Sequence, residues 1–277
     1  MIYIILQAQL GNQLFQIFNV ISLSLEYNVD YKILIDKEHN TIFTNNITYF
    51  NNFLNELSDK ISVSDKSIII NNEKLCEEKY FHYNKIIINK ENDIILKGLY
   101  QSHKYFLNHY DTIYKMLNIE SKKQLVKNKY NAYFNKKTIA IHFRIADYYY
   151  LQNYHEILPI NYYINALSKL INIISDDIKE YNILYFCQKC DNELATKYLS
   201  VFKNLNFIKV SDDIINYDQM MLMANCDNII IANSTFSWFG AFFSDAENIL
   251  YPNKWFGPAN KNNSLKDLFP HKWIEII

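Results

Sequence analysis

The chain is poor in the two residues that punctuate a backbone, with four glycines and four prolines in 277 residues. Ordinary usage would supply about five times as many Gly and about three times as many Pro. That excludes collagen-like, Gly/Ser-linker and Pro-rich classes. It also excludes a glycine cradle for phosphate: no G-x-G-x-x-G and no G-x-x-x-x-G-K-[ST] occurs. In so glycine-poor a chain, Gly11, Gly98, Gly240 and Gly257 each mark a candidate position where the backbone tolerates little else.

Other absences narrow the class further. The formal net charge is −1, so no global field attracts nucleic acid or an anionic membrane. No uninterrupted apolar run reaches the length of a membrane span. The N-terminal Met1-Ile2-Tyr3-Ile4-Ile5-Leu6 lacks a basic leader region and reads as a first strand, not a signal peptide. A cytoplasmic location is expected, with peripheral membrane association left open. The sequons at Asn46, Asn233 and Asn262 carry no weight without secretion. Four cysteines do not make a disulfide scaffold at this length. Cys187 and Cys190 have C-x-x-C spacing, but a zinc site would need a second pair, and none exists.

What is present is a folding chain with 49% hydrophobic and 16% aromatic residues. Residues 2–6 form a β-branched run. Leu14, Ile17, Phe18, Ile21 and Leu25 follow at helical spacing, giving strand, tight turn, helix. Residues 32–35 read as a second strand. Weaker strand signals lie at 68–70, 86–88 and 94–96, and helical spacing returns at 104–118. The Lys- and Asn-rich stretch 121–137 has no strong pattern, and a domain boundary is expected near 135. Domains 1–135 and 136–277 result.

The second half alternates regularly. Strands are expected at 138–143, 181–186, 207–210, 228–232 and 249–251. Helices are expected at 160–174, 191–202, 218–226 and 236–245. Continuous apolar strands separated by helices predict an α/β fold with parallel sheets. Ligands in such folds bind beyond the carboxyl ends of the strands. Arg144 and Asp147 follow the strand at 138–143. Asn233, Ser234, Thr235 and Phe236 follow the strand at 228–232.

These residue types suit a diphosphate. Hydroxyls and backbone N–H groups at a helix start attract anions, although Ser or Thr there also serves as a simple N-cap. An Arg at a strand end offers a fork for phosphate, or an ordinary ion pair with Asp147. His142 sits beside it, where a lone His is commonly structural. Asp218 opens a helix and reads either as a capping carboxylate or as an acceptor for a guanine base. Spacing alone does not rank these roles.

Three blocks carry a resemblance. Leu10-Gly11-Asn12-Gln13-Leu14-Phe15-Gln16 is similar to a G-L-G-N-Q-M-F-Q motif. Ile141-His142-Phe143-Arg144-Ile145-Ala146-Asp147-Tyr148 is similar to H-x-R-R-G-D-Y. Ile231-Ala232-Asn233-Ser234-Thr235-Phe236-Ser237-Trp238-Phe239-Gly240-Ala241 is similar to I-A-N-S-[ST]-F-S-W-W-G-A. In this order they resemble the bacterial-type α-1,2-fucosyltransferases of glycosyltransferase family 11.

The resemblance implies a GT-B architecture: two Rossmann-like domains with parallel sheets facing a central cleft. The first would take a galactose-type glycan acceptor and the second GDP-fucose. It implies inversion at the sugar and no metal or other cofactor, with Arg144 as counter-charge for the leaving GDP. Ser234 and Thr235 would share that task, Asp218 and His142 would face guanine, and Asn12 would reach the donor. Candidates for general base are Asp147, His155 and Glu156. Two departures stand out: Ile145 replaces the second Arg of the motif and Ala146 its Gly. They raise two alternatives, a changed donor or acceptor, and a non-catalytic sugar-nucleotide or glycan binder.

Overall fold

The computed structural model describes residues 1–36, 46–64 and 75–277. The chain divides into two compact units, Met1–Ile119 with Asn263–Pro270, and Glu120–Asn262 with His271–Ile277. Each is built on a parallel sheet.

In the first unit, β1 (Ile2–Ile5) leads into α1 (Leu10–Tyr27), which returns to β2 (Tyr31–Asp36). Strands β3 (Ile61–Ser64), β4 (Leu75–Glu77) and β5 (Ile94–Lys97) complete a sheet of order β3-β2-β1-β5-β4 among the described residues. Helix α1 is buried along Leu10–Leu23 except at Asn12, so it lies in the core rather than on it. It ends at Asn28, whose φ of 51° is the left-handed cap a Gly would usually take. The expected strand at 86–88 is absent: Ile87 is exposed, and the segment pairs with no strand in the sheet. The expected strand at 68–70 lies outside the described residues. Within 104–118 the chain makes two short 3-10 turns and then α2 (Tyr110–Met116).

The units join at Ile119, earlier than the boundary expected near 135. The Lys/Asn-rich stretch contains a helix, α3 (Ile119–Lys129). Its Lys123 bonds Asp245 at 2.8 Å and its Lys129 bonds Asp218 at 3.0 Å, so its attachments lie in the second unit. The helix also buries Ile119 and Val126, with the stem of Lys123 between them, a stripe too sparse and too rich in Lys for periodicity to register.

The second unit carries β6 (Lys137–His142), α4 (Ile160–Ile173), β7 (Tyr181–Phe186), α5 (Asn192–Leu199) and β8 (Phe207–Lys209). It continues through α6 (Asn216–Ala224), β9 (Asn228–Ile230), α7 (Thr235–Phe242), β10 (Asn248–Pro252) and β11 (Ile274–Ile276). Sheet order is β11-β10-β9-β6-β7-β8, all parallel. One core joins Ile139, Ile141, Phe143, Leu167, Leu170 and Ile183. Strands β6 and β9 are direct neighbours, with Ile141 opposite Ile230, although about 90 residues of chain separate them. That adjacency sets the loops after β6 and β9 side by side.

No glycine takes a positive φ. Gly240 lies where α7 packs closely on α6: a Cβ there would lie 2.6 Å from Met223 Sδ, so that side chain would have to shift. At Gly257 a Cβ would lie 2.3 Å from the Gln152 carbonyl oxygen. Glycine is kept here for close approach, while Ala8 and Tyr100 occupy the left-handed region.

Candidate functional site

The loop after β6 holds Arg144 and Asp147. Arg144 Nη2 donates to Asp147 Oδ2 at 2.8 Å, and its guanidinium lies 5.4 Å from the centre of the Tyr148 ring. The ion pair weighed from sequence therefore exists, yet it uses one corner of the fork. Arg144 Nε is buried without a partner, and so is Asp147 Oδ1. The loop is pinned from below by buried Asp191, which accepts from the Ala146 N–H at 3.0 Å.

The loop after β9 holds Asn233 and Ser234. Asn233 is buried, and its amide donates to the carbonyls of Glu156 at 2.9 Å and Trp255 at 3.3 Å. Its Oδ1 has no partner. Ser234 is the N-cap residue of α7, but its side chain makes no capping hydrogen bond. Thr235 and Phe236 open the helix, whose first N–H groups have no acceptor within it.

His142 ends β6, fully buried, with its ring 5.4 Å from that of Phe236 and Nδ1 unpartnered. Burial, assisted by the Arg144 charge, drives its pKa down to about 3, so it is neutral at ordinary pH. His155 stacks on Tyr148, ring centres 4.8 Å apart, and its Nδ1 is also unpartnered. Burial lowers its pKa; Asp147 opposes that shift and Arg144 adds to it.

Five buried, unpartnered polar atoms thus gather at the carboxyl ends of β6 and β9, on His142, Arg144, Asp147, His155 and Asn233. Buried polar groups are ordinarily satisfied, so these atoms are available to bond a ligand or water; further unpartnered atoms lie in the first unit, on Gln13, Asn19 and Gln101.

Two sequence candidates have partners outside this group. Asp218 sits in the first turn of α6, where its Oδ2 accepts from Lys129 at 3.0 Å and the Tyr130 hydroxyl at 3.2 Å. Asn12 belongs to the first unit, in the first turn of α1, and accepts from Gln101 at 2.6 Å. The neighbouring glutamines of that block bond to backbone, though Gln13 Oε1 is left unpartnered. Gln13 donates to the Ala8 carbonyl, and Gln16 joins the Gln7 N–H to the Gly98 carbonyl. Glu156 pairs with Lys254 at 3.4 Å.

Sequence reading assigned no role to Tyr148 or Asp191. Tyr148 closes the block similar to H-x-R-R-G-D-Y, which was the available signal, but the partners of the two residues lie 85 and 45 residues away and so are not readable locally. Among the described residues, no group of three or more His, Cys, Asp or Glu is placed to hold a metal ion. Among them too, no helix is long and apolar enough to cross a membrane.

No protein-family profile matches the sequence. The chain is 27% identical over 220 residues to the O-antigen biosynthesis glycosyltransferase WbnK of Escherichia coli, covering 76% of this chain and 70% of that protein. It is 24% identical over 260 residues to an alpha-1,2-colitosyltransferase of Escherichia coli, covering 90% and 81%. In fold it is similar to a glycosyl transferase of family 9 from Veillonella parvula. That match has a TM-score of 0.52 at 11% identity, over 99% of this chain and 86% of the other. An α/β fold with two parallel sheets, a glycosyltransferase fold neighbour and glycosyltransferase relatives over most of the chain together support glycosyltransferase function.

Proposed function

We propose that the protein is an inverting transferase of GT-B type that moves a fucosyl unit from GDP-fucose to the 2-hydroxyl of a galactose-type acceptor. The observation that carries this reading is the pairing of Arg144 with the Asn233–Thr235 turn on adjacent strand ends, amid unpartnered polar atoms. The second unit is read as the donor-binding Rossmann-like domain and the first as the acceptor domain.

In this reading Arg144 Nε and the first N–H groups of α7 hold the diphosphate, supplying the positive charge that a metal provides elsewhere. The acceptor oxygen attacks the anomeric carbon from the face opposite GDP. The bond from that carbon to the β-phosphate oxygen breaks, and its electron pair leaves with GDP. The acceptor proton passes to a base. His155 is the candidate suited to receive it, being neutral with Nδ1 unpartnered; Asp147 also has an unpartnered Oδ1, but its other oxygen is held in the ion pair with Arg144. Donors aimed at a developing oxyanion contribute about 3–4 kcal/mol each.

The alpha-1,2-colitosyltransferase relative favours one second reading, the same chemistry with a colitosyl donor. Incubation with GDP-fucose, GDP-colitose and other nucleotide sugars against a panel of galactosides separates the two by GDP release and product linkage. An absence of both turnover and GDP binding removes them together.

A further inference from the structure

We propose that Tyr148 is the positioning residue of this site, fastening the loop after β6 to the loop after β9 and holding Arg144 and His155 in place. Three observations converge on this one buried side chain. Its hydroxyl donates to the Asn233 carbonyl at 2.9 Å, immediately before the turn that opens α7. The Arg144 guanidinium packs on its ring at 5.4 Å. The His155 imidazole stacks nearly parallel to the ring, with 16° between planes and 4.8 Å between centres.

Contact with the site distinguishes Tyr148 from the other buried tyrosines. Tyr163 packs against Phe143 and Tyr198, and Tyr162 donates to the Ile231 carbonyl within the sheet. Every contact of Tyr148 named above goes to a residue of the candidate site. Burial raises its pKa to about 12, so the hydroxyl remains a donor across the working range. The ring and the hydroxyl act separately. The ring desolvates His155 and orients the Arg144 fork, whereas the hydroxyl fixes where the turn presents its N–H groups.

The nucleotide part of this inference rests on the proposed function; the ring part does not. The test compares Tyr148→Phe and Tyr148→Leu with wild type by thermal melting, GDP titration calorimetry and the NMR titration of His155, assigned with His155→Gln. The groups bearing on that titration are Asp147 and Arg144, and Phe256 lies 6.3 Å away. In the Leu variant, the His155 pKa rises toward its ordinary value of 6.5, and GDP affinity falls about tenfold or more as the guanidinium loses its support. In the Phe variant, the His155 titration stays where it was, while GDP affinity falls about fivefold through loss of one hydrogen bond.

A folded Leu variant with unchanged His155 titration overturns the role of the ring. A Phe variant with wild-type GDP affinity overturns the role of the hydroxyl. If the Leu variant does not fold, Tyr148→Met takes its place in the same measurements. Should wild type bind no GDP, the functional reading and the hydroxyl tie fall together, and the His155 titration still decides the ring.

Discussion

Replacing Arg144 with Ala separates catalysis from stability, because the two costs differ in size. In the folded protein the visible losses are one hydrogen-bonded ion pair and one cation–π contact. Asp147 is 44% exposed, so the pair contributes no more than about 1 kcal/mol. The contact with Tyr148 adds about 1 kcal/mol. Both together lower the melting temperature by a few degrees at this size. If Arg144 instead stabilises the charge developing on GDP, its removal costs about 3–4 kcal/mol of transition-state energy, or about two to three powers of ten in kcat. The assay pairs a GDP-release rate at saturating donor with a calorimetric melt. Arg144→Lys keeps the charge without the planar fork and should recover only part of the rate. An Ala variant that melts a few degrees lower yet turns over within a factor of three of wild type would refute the phosphate assignment.

Three further outcomes follow from particular side chains. Gly257→Ala should destabilise by about 1–3 kcal/mol, read from denaturant unfolding, because the Cβ would meet backbone at Gln152 rather than a movable side-chain tip. Ala8→Gly should stabilise slightly: a non-Gly residue at φ 60° costs about 1–2 kcal/mol, and glycine's unfolded-state entropy takes back about half of that. A melt showing loss instead would refute the strain at Ala8. The pH dependence of stability should carry the imprint of His142, whose pKa falls from 6.5 unfolded to about 3 folded. Below pH 6.5 the unfolded chain takes up a proton that the folded chain refuses. Stability contributed by the neutral ring is therefore complete above that value. It declines as pH falls toward 3, by at most about 1.4 kcal/mol per pH unit. His142→Gln should flatten that slope in urea titrations at pH 4–7, and an unchanged slope would show that the ring is not desolvated.

Elements with an apolar stripe or run were legible from sequence. Strands β6, β7 and β10 and helices α1, α4 and α7 fall within a few residues of their expected positions, because their packing face is written at a fixed period. Helix α3 was not legible, since its buried face is Ile119, the stem of Lys123 and Val126, with only two apolar residues in a Lys-rich stretch. Strand β11 escaped as well; its three residues pair with β10 only once the chain has returned from the first unit.

The sequence by itself determined the kind of chemistry on offer. An Arg at one strand end and a hydroxyl cluster at another offered residues suited to an anion, with an ion pair and a simple N-cap as the other readings, and the scarcity of glycine excluded a glycine cradle. Tertiary structure alone decided which of those residues meet. Pairing of β6 with β9 brings His142, Arg144 and Asp147 beside Asn233 and Ser234, and Tyr148 joins the two loops. The same structure holds Asp218 on Lys129 and Tyr130. It also gave Gly240 and Gly257 their meaning as points of close approach rather than of backbone freedom. Local periodicity encodes which face of an element is buried; which partner that face finds depends on strand order, and strand order has no period in the sequence.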